Sequence, residues 1–367
     1  MSPVLYSSIF GGLTKTVQVV IDETSRLNKK FFDTPIYERY MTWDTPSIEL
    51  NFEEIIGKYN LSIAATTIED NSNEPIREPK GLSSIQAKNL THAHSFPLSV
   101  QEYRKILGLL SHSFIKDSQK RDELMKIMMN TVKDAVDGVH AKLDMIFLGA
   151  LSNEGVYNID KNNNPEGIET KIDYQMPDSN KGRATIEWTE ANINTVDPFE
   201  DIQSIVAAAQ NTKLAEIWIS QARLSYLLKS KKFKQVIFGT DKRDSPLLIT
   251  ELNSFMERNG LPKFNVIQRQ VAVRKSDGSI KTISPFNDKN LVFVPEGKLG
   301  VIKNSYTNNE LMPEEGVTYS NYGRIRISQW GVGVKQNSNQ TDFIKAETIA
   351  LLVFNSINGI YSLKTVA

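Results

Sequence analysis

Between Asp117 and Leu151 apolar residues return in steps of three and four: Leu124, Ile127, Met128, Val132, Ala135, Val136, Val139, Leu143, Ile146, Phe147, Ala150 and Leu151. That period draws one continuous apolar stripe along an α-helix. About 35 residues at 1.5 Å each reach roughly 50 Å, further than a small domain is wide. The spacing predicts a stiff beam with one apolar face, lying across a sheet. Asp117, Asp122, Glu123, Asp134, Asp137 and Asp144, set among Lys116, Lys120, Arg121, Lys126, Lys133 and Lys142, read as its solvated face.

Upstream, Ser99 and Glu102 form an S-x-x-E capping box after Pro97 and start a short helix reaching about Leu110. Before it, YNLSIAATTIED and LSSIQAKNLTHAHSF show loose period-two character on either side of NSNEPIREPKG, which predicts a long two-stranded hairpin. An isolated hairpin is marginal in water, so it either folds onto its own domain or gains stability on a neighbouring molecule. Residues 1 to about 50 read as an arm. A helix is expected over Thr14–Phe32, followed by the aromatic stretch FFDTPIYERYMTWDTPSIEL, which is broken by Pro35 and Pro46 and packs on something larger.

Downstream, turns and short strands fill 153–188, with a strand expected at Thr185–Trp188. Asp197, Pro198 and Glu200 open a helix as N-cap, first-turn proline and third helical position. A strand at Leu214–Ile219, a Ser220-capped helix to Leu228, and a helix near Pro246–Arg258 ending at Asn259-Gly260 follow. Strands at Asn265–Arg274 and Ser279–Ile283 are joined by a Ser-Asp-Gly turn. Leu291–Val294 is a short apolar run between Asn287-Asp288 and Pro295-Glu296-Gly297. This alternation suggests a compact α/β unit from about 197 to 310. The end is β-rich. Ile325 and Ile327 face opposite to Arg324, Arg326 and Ser328 within Gly323–Lys335, and two more strands lie around Asn358-Gly359.

The chain offers little chemistry. It has 367 residues and no cysteine, which excludes disulfides, thiolate nucleophiles and cysteine-rich zinc sites. Basic and acidic residues balance at 43 each, without the cationic excess of a dedicated nucleic-acid module. No apolar run is long enough to predict a membrane span. His92 and His94 would share a strand face, as a metal pair lacking a third ligand or as a polar surface of the hairpin. His112, near a helix junction, and His140, beside the stripe, read as structural. Neither a G-x-x-x-x-G-K-[ST] loop nor a G-x-S-x-G elbow occurs. Gly331-Val-Gly333 reads as close backbone packing or a bulge. Lys229, Lys231, Lys232 and Lys234 form a solvated helix end or, alternatively, a nucleic-acid contact. No catalytic, cofactor-binding or metal-ligating residue stands out, and the chain reads as no enzyme.

The element order (arm, polar hairpin, beam, strands, α/β unit, return strands) resembles the major capsid proteins of tailed bacteriophages, with the Hong Kong 97-type fold, in the phage lambda capsid-protein branch. The local likeness lies in Trp188 before an Asp197-Pro198-x-x-Asp201-Ile202 helix start, and in the strand–Pro–turn–Gly stretch Leu291–Gly300. The resemblance implies an α+β fold with an N-terminal arm at 1–50 and an extended β-hairpin loop at 51–97. It places a peripheral domain with the spine helix at 98–196, an α/β axial domain at 197–315, and return strands at 316–367. It implies a major capsid protein that self-assembles into pentamers and hexamers, forming an icosahedral head around double-stranded DNA. Such a protein is made in the host bacterial cytoplasm and ends in the virion. Its partners are copies of itself and separate scaffolding, portal and decoration proteins; it touches packaged DNA weakly and non-specifically, and no membrane.

Some members carry a long helical scaffolding segment before the extended loop. Too little chain precedes the loop here, so scaffolding is expected from a separate protein or not at all. The self-crosslinking lysine–asparagine pair of part of the family is not located. An encapsulin-like compartment shell is the alternative, and an α/β enzyme with an unrecognised carboxylate site a more distant one; the beam helix argues against a tail-tube protein. Deleting Asn71–Lys80 is expected to leave a folded subunit that makes no stable shells. Parent-like particles from that variant under negative stain would defeat the expectation.

Overall fold

The computed structural model describes residues 32–56, 83–97, 117–209, 212–239, 245–275, 277–332 and 341–366, with isolated positions among 18–22 and 104–108. The aromatic segment forms one helical turn, α1 (Tyr37–Tyr40), and a short strand, β1 (Met41–Trp43). β2 (Asn51–Ile56) and β3 (Ser83–Lys88) pair antiparallel as the base of the expected hairpin. YNLSIAATTIED lies outside the described residues. The capping-box helix does too, save three helical positions, and so does the arm helix, save Gln18, Ile21 and Asp22.

The hairpin expectation fails for its second half. β4 (Leu90–Pro97) leaves β3 and pairs along the body of the protein. The beam follows as α2 (Asp117–Ser152), 36 residues and about 54 Å long. Along its middle, Met129, Val132, Ala135, Val136 and Val139 bury one face, as the stripe requires. From 143 to 152 every side chain is buried, Asp144 included. The beam therefore ends as an enclosed rod, not a half-solvated one, because two sheets close over it.

β5 (Val156–Ile159) and β6 (Thr170–Asp173) make a small hairpin, and β7 (Lys181–Arg183) follows. Thr185–Trp188 is irregular rather than a strand, its backbone held by side chains described below. Then come α3 (Pro198–Ala208), β8 (Leu214–Ser220), α4 (Gln221–Lys229), α5 (Lys231–Phe238), α6 (Ile249–Arg258) and β9 (Lys263–Ile267). Ser220 caps α4 through Arg223 N, and Ser230 caps α5 through Phe233 N. The single strand expected over Asn265–Arg274 breaks in two: β10 (Val271–Arg274) pairs with β11 (Ile280–Ile283). β12 (Asn290–Pro295), β13 (Gly300–Ser305), α7 (Asn308–Leu311), β14 (Thr318–Tyr322), β15 (Ile325–Val332), β16 (Thr341–Val353) and β17 (Tyr361–Lys364) complete the chain.

Two sheets result. One has the order β7-β17-β12-β8-β9. Its central strand β12 is a continuous apolar run because both faces are covered. Leu291 and Phe293 meet the helices α3 to α6, while Val292 and Val294 meet the core around α2. The other sheet is organised on β16, with β4 along one edge and β13 and β15 end to end along the other. β1 and β14 are its outer strands.

Two expectations change accordingly. The chain leaves the first of these sheets at Pro295 and β13 belongs to the second, so the strands and helices of about 197–310 do not share one sheet. The two strands expected around Asn358-Gly359 are present as β16 and β17, one in each sheet. The aromatic segment is core, not appendage: Tyr37 and Met41 are fully buried, and β1 pairs parallel with β13.

Phe147 of α2 stands 5.7 Å from the rings of both Trp218 on β8 and Phe354 after β16, which locks the beam to both sheets. Its C-terminus is closed by the turn before β12. Asn287 N donates to Ser152 Oγ at 2.9 Å, and Asn290 Nδ2 donates to the Ser152 carbonyl at 2.7 Å. At the crossing between sheets the backbones come so close that a Cβ on Gly300 would lie 1.9 Å from the Val353 carbonyl oxygen. Gly300→Ala is expected to destabilise the subunit by about 2 kcal/mol or more through forced backbone displacement. A urea midpoint equal to the parent's would contradict that packing.

Candidate functional site

The polar side chains taken inside the body converge on three carboxylates. Asp197 caps α3 by accepting from Phe199 N and Glu200 N, both at 3.2 Å. One turn on, Asp201 is 4% exposed. Its Oδ2 accepts from the Trp188 indole at 2.8 Å, and its Oδ1 accepts from the Thr185 amide and hydroxyl at 3.0 Å. The Trp188, Asp197, Pro198, Asp201, Ile202 pattern is thus one physical unit. The capped helix presents a buried carboxylate, and that carboxylate fixes the irregular 185–188 backbone where a strand was expected. Glu216 plays the same part on β8: its Oε2 accepts from Tyr40 Oη at 3.0 Å, Trp218 Nε1 at 2.8 Å and Asn265 Nδ2 at 2.9 Å. Burial and Glu216 push the Tyr40 phenol up to about 12.

The third centre corrects the reading of α2's charges. Asp144 is fully buried, not part of a solvated face. It accepts from Tyr37 N at 3.0 Å and stands 3.0 Å from Arg269 Nε, a charge contact without hydrogen-bond alignment. Arg269 also reaches Asp33 at 3.3 Å, the Asp33 amide donates to Asp137 at 3.0 Å, and Lys133 pairs with both Asp137 and Asp33. Charges of alternating sign so tie the segment before α1 and the root of the β10–β11 hairpin to the beam. Removing Arg269 would leave the buried Asp144 without its opposite charge.

His92 and His94 do share a strand face, but it is turned toward α2. His92 is buried with Nε2 3.2 Å from the Ala350 carbonyl. His94 stacks on Phe96 at 4.4 Å and lies against Gly138. No group of three metal-ligating side chains exists among the described residues. His140 lies 2.8 Å from the Tyr37 hydroxyl, and His112 lies outside the described residues. The lysine cluster is not a single helix end: Lys229 closes α4, but Lys231, Lys232 and Lys234 open α5, where cations do not offset the helix dipole. Lys229 pairs with Glu190 at 3.4 Å, and Lys232 donates to the Thr195 carbonyl at 2.8 Å. Gly331 sits in β15 opposite Asp342, and Gly333 lies outside the described residues.

Cavities of about 470 Å³, beside Tyr157 and Pro285, and about 440 Å³, beside His140 and Arg324, neighbour the beam. Neither is lined by a nucleophile paired with a base. Among the described residues no helix is long and apolar enough to cross a membrane. What the interior does not absorb lies outside. Ile48 and Ile280 are each 73% exposed and Met312 is 78% exposed. Single apolar residues between turn signals gave no warning of this, since period-two spacing does not tell a covered strand face from an open one.

A family model described as phage major capsid protein E matches residues 13–365. The fold is similar to that of a candidate prophage capsid protein of E. coli CFT073, with a TM-score of 0.58 at 13% identity over 96% of this chain and 99% of that one. A phage-related protein of Bordetella bronchiseptica RB50 aligns at TM-score 0.45 and 11% identity over 94% and 96% of the two chains. A mature capsid subunit of bacteriophage PhiM1 aligns at 0.43 and 13% over 92% and 88%. The fold likeness rests on the first of these. No curated protein matches the sequence.

The buried titratable groups set an acid response. Burial holds His92 and His140 down at about 4, helped by Lys142 and Arg269 respectively and opposed by the Ala350 carbonyl and Asp33. Burial pushes Asp144 up to about 6. Each histidine stays neutral in the fold while the unfolded one charges below 6.5, so its stability contribution is lost as pH falls from 6.5 toward 4. Asp144 acts oppositely, binding a proton in the fold between about 6 and 3.8. Two histidines outweigh one aspartate, and subunit stability should fall across this window. His92→Gln is expected to recover about 2 kcal/mol of the loss between pH 6.5 and 5, read by urea unfolding at both values. Equal pH slopes for variant and parent would count against a neutral buried His92.

Proposed function

We propose a shell-building mode of action from one premise: this chain belongs to the family of phage major capsid protein E. It is a structural subunit of the phage shell, and its place is the virion. The match over residues 13–365 carries this reading. A shell subunit must hold its outline while repeating the same contacts, and the enclosed beam supplies that stiffness.

In this reading the sheet built on β16, with α2, is the peripheral domain. The sheet centred on β12, with α3 to α6, is the axial domain that meets its copies around five- and six-fold axes. The β2–β3 base carries the extended loop toward a neighbour. Pentamers and hexamers close because head-to-tail contacts between identical subunits form rings when the rotation permits. The balance of 43 basic and 43 acidic residues supports dense packing without strong mutual repulsion and only weak, non-specific contact with packaged double-stranded DNA. Synthesis in the host cytoplasm and separate scaffolding, portal and decoration proteins complete the proposal.

The purified chain, concentrated and imaged by negative stain, is expected to form closed or tubular arrays of five- and six-membered rings. A monodisperse monomer at high concentration would overturn self-assembly. Particles from the native source that hold cargo enzymes and no DNA would favour a compartment shell instead.

A further inference from the structure

The β10–β11 hairpin has one covered face and one open face. Its register pairs Val271 with Ile283, Val273 with Lys281, Ala272 with Thr282, and Arg274 with Ile280. Directly opposed residues of an antiparallel pair point the same way, and neighbours along a strand alternate. Val271 is buried and Val273 packs on the main core, which roots the first face. Ala272, Arg274, Ile280 and Thr282 form the other face, and all four are exposed. Lys275 follows at the turn, also exposed. No ion pair of Arg274 occurs among the described residues. The result is an open two-stranded face whose turn end pairs apolar Ile280 with basic Arg274, with Lys275 beside them.

The complementary surface lies elsewhere on the same subunit. At the end of α7, Leu311 is 46% and its C-cap Met312 78% exposed, followed by exposed Glu314 and Glu315. This segment is held firmly from behind. Thr307 and Glu310 form a capping box, Asn309 donates to Glu347 at 3.0 Å, and Tyr319 Oη accepts from Glu314 N at 2.9 Å. Neither glutamate makes an ion pair among the described residues. The two surfaces are rooted in different sheets, and no hydrogen bond or ion pair among the described residues joins them.

We propose that the open face of the β10–β11 hairpin docks on the 311–315 segment of a second copy of this chain. Ile280 meets Leu311 and Met312, and Arg274 and Lys275 face Glu314 and Glu315. The occupant is a second copy because one chain carries both halves, matched in charge and apolar character. Two different surfaces in contact make a head-to-tail interface, which rings require and a two-fold dimer does not. Charge opposition at the rim selects the partner and its register, while the apolar contact excludes water. This docking rests on the shell-building role above and names one of its contacts.

The absence of cysteine permits a direct test. A chain carrying Ile280→Cys and Met312→Cys, oxidised in assembled particles, is expected to give a disulfide ladder beyond dimer on a non-reducing gel. Either single variant gives none. In parallel, Arg274→Glu with Lys275→Glu should lower particle yield at least tenfold, and so should Glu314→Lys with Glu315→Lys. All four changes together should restore yield to within about threefold of the parent. Unassembled variants with parent-like circular dichroism melts separate loss of docking from loss of fold. Assembled particles of the double-cysteine chain that give no ladder, or a fourfold variant no better than either pair, overturn the docking and leave the shell role intact. A parent chain that stays monomeric overturns both.

Discussion

The structure depends on enclosing the last ten residues of α2. From Met129 to Val139 the beam buries one face as an amphipathic helix does; from Leu143 on it is buried on every side. A helix end in that position must satisfy its last carbonyls without water. Ser152, Asn287 and Asn290 do this, so the turn before β12 is bound to the beam before β12 joins its sheet. Both sheets then take their places from one rod. Phe147 contacts an aromatic residue of each, and Gly300 lets the chain cross between them with backbones nearly touching. For a shell subunit this matters, because any play between the two sheets would change the angle at which copies meet.

The buried carboxylates play a second, related part. Asp144 and Asp201 gather groups from stretches with little regular structure of their own: the approach to α1, the 185–188 segment, and the root of the β10–β11 hairpin. Hydrophobic contact alone would leave such stretches free to choose among similar packings. A carboxylate that must find several donors accepts few arrangements, since an unmet partner in the interior is costly. The polar chemistry of this chain is inward and architectural. That accounts for histidines and carboxylates in numbers sufficient for an active site, with none assembled as one among the described residues.

The beam, the caps at Asp197 and Ser220 and the Ser-Asp-Gly turn were legible because each is local. Period, cap and turn chemistry act within a few residues. The family resemblance was legible too, and Trp188 with Asp201 turns out to be a bonded pair rather than a coincidence of spacing. The errors share one cause. β4 reads as hairpin because its alternation matches β3, yet its hydrogen-bonding partner is β16, some 250 residues away. Asp144 reads as surface because carboxylates usually are, yet it is matched by Arg269. Strand partners and ion partners far along the chain leave no mark on local pattern.

Local preferences of the chain settle the elements: a rigid beam, two groups of strands, capped helices and a composition without reactive sulfur or charge bias. These follow from backbone and side-chain preferences that operate over one or two turns. Tertiary structure alone decided which strands share a sheet, that the aromatic segment is core, that the beam's end lies enclosed, and that Ile280 and Met312 remain uncovered. Those outcomes depend on which distant surfaces exclude water together, a property of the whole folded chain and of no single stretch of it.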